Sequence, residues 1–217
     1  MRCEGFGCSE TLEDGRTILG CDTIYAVDKS YFSKKWLPIT QITQLIDILD
    51  SYTLPRAVDI VLTGGEPLLN MDNHIFTEFL EIVHKRGHRI CFETNGSLSV
   101  NFEKYPIYKK CLFALSVKLS NSNEPLKKRV SKDILQSIAL NAKDSFFKFS
   151  IADSLLESEI EQIVSYAPNI DVYCMPLGDS KAQIEKNSPK LVEFCKLKGY
   201  NFGDRLHIRI WDKERGI

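Results

Sequence analysis

From residue 38 onward the chain alternates two apolar patterns, and that alternation restricts it to few folds. Residues 38–52 carry Ile39, Ile42, Leu45, Ile46 and Leu49 at spacings of three and four, which predicts a helix. Residues 57–62 are a short β-branched run closing on Gly64-Gly65, the pattern of a buried strand and a turn. Residues 73–86 return to helical spacing through Ile75, Phe79, Ile82 and Val83, with Gly87 placed to stop them. The same reading predicts strands at 89–93, 111–118, 146–151 and 170–175, and helices at 131–142, 154–166 and 180–198. Asn95-Gly96 is a turn, Pro168 ends the second of those helices, and Gly199 ends the third. Residues 206–211 are expected as a last strand or edge segment. Strands separated by helices form right-handed βαβ units and a parallel sheet. Five strands and a terminal one are too few for an eight-stranded closed barrel. The expected fold is therefore α/β: a partial, open β/α barrel with a mostly parallel sheet, in one domain over residues 1–217.

Composition removes several classes of function. A net charge of −1 argues against a strongly basic nucleic-acid surface. No apolar run approaches the roughly 20 residues of a membrane helix. Glu4, Glu10, Glu13 and Asp14 do not fit a secretory signal. Neither nucleic acid nor membrane is expected as a partner, and the cytoplasm is the expected location. Seven cysteines in such a chain argue for metal binding over a disulfide framework where they cluster. Cys3, Cys8 and Cys21 cluster, with four and twelve residues between them and no nearby histidine. That spacing suits a zinc finger poorly, while thiolates suit an iron–sulfur cluster; thiols in a mobile loop are the bland alternative. Cys91, Cys111, Cys174 and Cys195 lie in apolar runs and are expected to be core thiols. His74, His84, His88 and His207 have no partner spacing, Trp36 and Trp211 read as packing residues, and Lys127-Lys128-Arg129 reads as a solvated face.

Sites in parallel sheets form at the C-terminal ends of strands, and the polar punctuation falls there. Gly64-Gly65-Glu66 follows the first predicted strand and Glu93-Thr94-Asn95-Gly96 the second. Ser116 and Lys118 fall in the third, and Met175-Pro176-Leu177-Gly178 follows the fifth. These segments converge on one mouth. The glycines let backbone approach a ligand closely, and Glu66 can accept from an ammonium group or fix its own turn.

With Thr63-Gly64-Gly65-Glu66-Pro67 downstream of clustered cysteines, the chain resembles the radical S-adenosylmethionine enzymes. The strings 20–25, 62–69 and 93–97, Ser116-Val117-Lys118 and residues 209–217 resemble most the 7-carboxy-7-deazaguanine synthase family. The resemblance covers nearly the whole chain. It implies a [4Fe-4S] cluster on three cysteines, with S-adenosylmethionine on the fourth iron, and Mg²⁺. It also implies a homodimer and a flavodoxin-like electron donor. The implied reaction turns 6-carboxy-5,6,7,8-tetrahydropterin into 7-carboxy-7-deazaguanine, a step towards queuosine in tRNA. Carried over residue by residue, Cys21 is the last cluster ligand, after Gly20 on the cofactor side, and Thr23 offers its hydroxyl to Mg²⁺. Gly64, Gly65, Glu66 and Gly96 meet S-adenosylmethionine, Ser116 and Lys118 its carboxylate or ribose, and Met175 and Pro176 its adenine side. Thr94 and the terminal carboxylate of Ile217 meet the pterin.

The chain departs from the family in places. Val117 stands where proline is commoner, and the gap before Cys21 is enlarged, so residues 4–20 read as an insertion. Either Cys3, Cys8 and Cys21 form the ligand set, or the first ligand and the first barrel strand lie upstream of Met1. A glycyl-radical-enzyme activase and a non-catalytic remnant without a complete cluster site are the rival readings.

Overall fold

In the computed structural model, which describes residues 8–20, 23–152, 156–212 and 214, the predicted insertion holds a hairpin. Strands β1 (Cys8–Thr11) and β2 (Thr17–Gly20) pair antiparallel. Their turn is closed by Leu12 N–H donating to the Arg16 carbonyl at 2.8 Å, with Gly15 at φ +81°. Buried Leu12, Ile24 and Phe32 form a small separate core under it.

The predicted alternation then follows as α1 (Ile42–Asp50), β3 (Asp59–Leu62), α2 (His74–Lys85), β4 (Arg89–Thr94) and β5 (Leu112–Leu115). It continues as α3 (Leu126–Arg129), α4 (Lys132–Asn141), β6 (Asp144–Ile151), α5 (Glu157–Val164) and β7 (Asp171–Pro176). α6 (Lys181–Lys198), β8 (Asn201–Phe202) and α7 (Leu206–Trp211) complete the described elements. Strands β3 to β8 form one parallel sheet in chain order. Sequential order with crossovers of one hand lays the helices on one face and curls the sheet, an open β/α barrel.

Burial along the strands records the two faces. Phe92 and Thr94, Phe113 and Leu115, Phe147, Phe149 and Ile151, and Val172 and Cys174 are buried under the helices, as the two-residue period of a strand requires. The residues between them are mostly half-buried. The helix side is an aromatic core. Phe92 stacks on Phe113 with centroids 5.1 Å apart, and α2 adds Phe79, Leu80 and Val83. Burying each such side chain contributes about 1.5–3 kcal/mol. α2 starts where Asn73 Oδ1 accepts from Ile75 N–H at 2.9 Å and stops before Gly87, at φ +86°.

Several expectations are corrected. Residues 206–211 are helical, and the terminal strand is β8. β5 stops at Leu115, so Ser116 and Lys118 lie just beyond the strand. Arg129 is only 6% exposed and pairs with Glu159, so one end of the basic run is buried, while Lys127 and Lys128 are exposed as expected. Trp36 and Trp211 are more than a third exposed. The four later cysteines are core thiols as expected, Cys91 half-buried and the others buried. Burial pushes the Cys111 thiol up to about 12 and Cys174 up as well, which keeps both protonated and unsuited to bind a metal.

Candidate functional site

At the C-terminal edge of the sheet, Glu66 fastens two loops together. It follows the Gly64-Gly65 turn after β3 and precedes a short 3₁₀ turn at Pro67–Asn70. One carboxylate oxygen accepts from Leu68 N–H at 3.2 Å and from the Thr94 hydroxyl at 2.7 Å. The other accepts from Asn95 N–H at 2.8 Å. Thr94 Oγ1 in turn accepts from Gly96 N–H at 3.2 Å, and Asn95 Oδ1 from Ser97 N–H at 2.9 Å. The reading of Glu66 as fixing its own turn is what the geometry supports. The Thr94 side chain, 1% exposed, belongs to the same clamp. Gly96 turns at φ +70°, where an L side chain is strained, and a Cβ there would lie 2.8 Å from Leu135 Cδ2, so the buried Leu135 side chain would have to shift.

The segment that follows Cys21 packs on this edge. Thr23, half-buried, leads into a 3₁₀ turn at Ile24–Ala26. A Cβ on Gly65 would stand 3.0 Å from the Ala26 carbonyl oxygen and 3.4 Å from Val27 Cγ2. The backbones therefore meet directly, and Gly64 takes φ +111° beside Ala26. Asp28, 2% exposed, holds the next turn by accepting from Ser30 N–H at 2.9 Å and Tyr31 N–H at 3.2 Å. Trp36 Nε1 donates to the Tyr25 carbonyl at 2.9 Å.

The other strand ends close the rim. Ser116 N–H donates to the Thr94 carbonyl at 2.7 Å, and Lys118 Nζ donates to Ser116 Oγ at 3.2 Å. Arg129 fixes that loop from behind, donating to the Lys118 and Glu124 carbonyls at 3.0 and 3.1 Å. Leu177 N–H donates to the Ile151 carbonyl at 2.8 Å, and Asn187 Nδ2 to the Leu177 carbonyl at 2.6 Å, which anchors the end of β7 after half-buried Met175 and buried Pro176.

The ends of β3, β4, β5 and β7 thus place Gly64, Gly65, Glu66, Thr94, Gly96, Ser116, Lys118, Met175 and Pro176 along the C-terminal edge, and Thr23 leads into the turn that packs on Gly65, while Gly20 ends β2 in the separate hairpin. Cys3, Cys21 and Ile217 lie outside the described residues. Cys8 stands opposite Gly20 in the hairpin register, so its backbone is brought beside the residue that precedes Cys21. Among the described residues, no three His, Cys, Asp or Glu side chains gather as a metal site. What fits a cluster with its cofactor is placement: the turn at Ile24–Ala26, which follows Cys21 in the sequence, abuts the backbone-exposing Gly64-Gly65 turn, and Ser116 and Lys118 stand just past the neighbouring strand end. Asp28 and Arg129 escaped the sequence reading. Asp28 had no motif to mark it, and Arg129 sat in a charge run.

Comparisons with known proteins bear on the family and the fold. Residues 16–139 match the family model described as a 4Fe-4S single cluster domain. The chain is 27% identical over 210 residues to the 7-carboxy-7-deazaguanine synthase of Rhodopirellula baltica, covering 90% of this chain and 75% of that protein. It is 26% identical over 218 residues to the protein of the same name from Halobacterium salinarum, covering 89% and 80%. Among solved structures it is similar to QueE from Escherichia coli, with a TM-score of 0.57 at 17% identity over 85% of this chain and 78% of that one. SuiB of Streptococcus suis bound to S-adenosylmethionine gives a TM-score of 0.53 at 14% identity, over 78% of this chain and 44% of that one.

Proposed function

The chain belongs to the 4Fe-4S single cluster domain family, its match spanning residues 16–139, and on that premise we propose a radical S-adenosylmethionine enzyme that makes 7-carboxy-7-deazaguanine. Its substrate is 6-carboxy-5,6,7,8-tetrahydropterin, and ammonia is lost as the ring contracts. The observation that carries this reading is the Glu66 clamp, which locks the Gly64-Gly65 turn to the Thr94–Gly96 turn beside the segment after Cys21. The name that the relatives bear supports the product, 7-carboxy-7-deazaguanine, and the pterin substrate is what the family resemblance implies.

When bound, the cluster and S-adenosylmethionine supply a 5′-deoxyadenosyl radical. The chain's part is to place the reactants at near-attack distance and keep water away. The Gly64-Gly65 backbone receives the cofactor's amino end, while Glu66 spends its oxygens on holding that turn. Ser116 and Lys118 take the carboxylate or ribose, and Met175 and Pro176 the adenine side. Thr23 offers a hard oxygen to Mg²⁺, a cation that takes oxygen ligands and keeps several waters. Cys3, Cys8 and Cys21 are the candidate thiolates for the cluster.

Anaerobic reconstitution followed by turnover tests the reading. The expected result is about four irons per chain and, with S-adenosylmethionine, reductant and Mg²⁺, formation of 7-carboxy-7-deazaguanine seen by mass spectrometry. A loaded cluster that cleaves S-adenosylmethionine and leaves the pterin untouched would overturn the substrate. No iron uptake would favour the non-catalytic reading.

A further inference from the structure

The open face of the sheet carries a charged pair to which the site described above gives no role. On β4, Phe92 and Thr94 turn toward the helices, so Glu93 between them turns to the other face. Across that face Glu93 pairs with Ala114 on β5, and Ala114 with Phe146 on β6. Lys148, two residues beyond Phe146, reaches over the small Ala114 and binds one oxygen of Glu93. The other oxygen accepts from the Thr63 hydroxyl at 3.3 Å. Thr63 opens the turn that the cofactor is read to occupy, so the pair is tethered to that rim from within.

The exposure of the pair is informative. Lys148 and Glu93 side chains are 23% and 35% exposed, which is open enough to meet a ligand and ordered enough to present fixed groups. A salt bridge that is partly open to water contributes modestly to stability. An ionised carboxylate offers about four acceptor positions. Among the described residues Glu93 has two partners, one on each oxygen. Each oxygen keeps a position for one of two parallel N–H donors, the bidentate arrangement in which carboxylates bind most strongly. Thr94, next along the strand, has already given its hydroxyl proton to Glu66.

The geometry points to Glu93 as the residue that selects the substrate's pyrimidine ring, by accepting from the 2-amino group and the neighbouring ring N–H. This rests on the pterin reading above. Lys148 and Thr63 are its positioning residues. They hold the carboxylate aimed across the open face.

Equilibrium binding of 6-carboxypterin, followed by its own fluorescence, tests this without turnover. 6-Carboxylumazine, with an oxo group in place of the 2-amino group, is the control ligand. The wild-type chain is expected to prefer the pterin at least about tenfold. Glu93→Gln puts an amide NH₂ against those donors and is expected to weaken pterin binding about 10- to 100-fold, with the preference lost and the far-ultraviolet circular dichroism unchanged. Lys148→Met is expected to weaken both ligands and spare the preference, because the carboxylate remains. A Glu93→Gln chain that still prefers the pterin overturns the assignment while leaving the enzyme reading intact. A wild-type chain that binds neither pteridine overturns the pterin reading itself. Should Glu93→Gln not fold, Glu93→Asp keeps the charge and withdraws it by one methylene, and unchanged affinity and preference there overturn the role of Glu93.

Discussion

Exchanging the Glu66 carboxylate for an amide keeps its shape but puts an NH₂ group where an oxygen now accepts. One oxygen serves Leu68 N–H and the Thr94 hydroxyl, and the other serves Asn95 N–H. Either orientation of a glutamine therefore faces N–H against N–H. Glu66→Gln is expected to lower stability by about 1–3 kcal/mol, read as a shifted urea midpoint, and to weaken S-adenosylmethionine binding with it. An unmoved midpoint would show that the two loops hold together without the clamp. Arg129 and Glu159 make the contrasting case of a buried pair, with side chains 6% and 18% exposed. Burial pushes the Glu159 carboxyl up. The hydrogen bonds from Ser120 N–H and hydroxyl, with the Arg129 guanidinium, outweigh it and hold the group below its ordinary value of 4.5. A depressed folded value means stability that is present above the unfolded value and lost as pH falls through the folded one. Glu159→Gln removes that titration and leaves Arg129 short of a partner, at a cost of about 3–5 kcal/mol near neutrality. The gap between wild type and variant should narrow as pH drops below 4.5, which urea melts across that range would check. A gap independent of pH would refute the linkage.

At the scale of elements, helix α7 separates local pattern from tertiary context. Leu206, Ile208 and Ile210 alternate as a strand's inner face would. The structure winds them into a helix in which Ile208 is 5% exposed while Leu206 and Ile210 are 63% and 57% exposed. Arg209 fixes that choice, reaching Asp204 and donating to Ser188 Oγ on α6 at 2.8 Å. No period in six residues reveals a contact with a helix more than ten positions earlier. Ile208→Ala is accordingly expected to cost about 2–4 kcal/mol, and Ile210→Ala less than about 0.5 kcal/mol, by chemical denaturation. Equal losses would restore the strand reading. Where one element supplies both period and stop signals, sequence and structure agree to within a few residues. α2 is such a case, with its Asn73 cap and Gly87 stop. The β1–β2 hairpin is signalled by Asp14-Gly15 at its turn, but its strands have only four residues each, mostly polar in β1, and show no clear two-residue apolar period. The candidate site was legible as a row of strand ends, since a parallel sheet puts all of them on one edge. The clamp was not, because Glu66 and Thr94 are 28 positions apart and only the register of β3 on β4 joins them.

Across the whole molecule, the sheet divides its duties between its helix-covered face and its C-terminal edge. Phe113 belongs to the first: it is 0% exposed, stacked on Phe92 and edge-on to Phe102 at 6.2 Å. Gly65 belongs to the second, where its missing side chain lets the turn lie against the Ala26 backbone. The two positions make a paired prediction. Phe113→Ala removes core contacts that no neighbour can replace and should cost about 3–5 kcal/mol of stability. In the fraction that stays folded, the affinity for S-adenosylmethionine should be unchanged. Gly65→Ala places a Cβ 3.0 Å from the Ala26 carbonyl, so the segment after Cys21 must retreat by a few tenths of an ångström. Stability should change by no more than about 1 kcal/mol, because the edge buries little of the core. Ligand placement should suffer more, since small displacements at a binding edge carry large penalties, and a tenfold or greater rise in the dissociation constant for S-adenosylmethionine is expected on the order of that principle. Calorimetric titration of the reconstituted protein together with thermal melts would read both quantities. If Gly65→Ala melts early and binds normally, the turn is part of the folding core, and the division between face and edge does not hold.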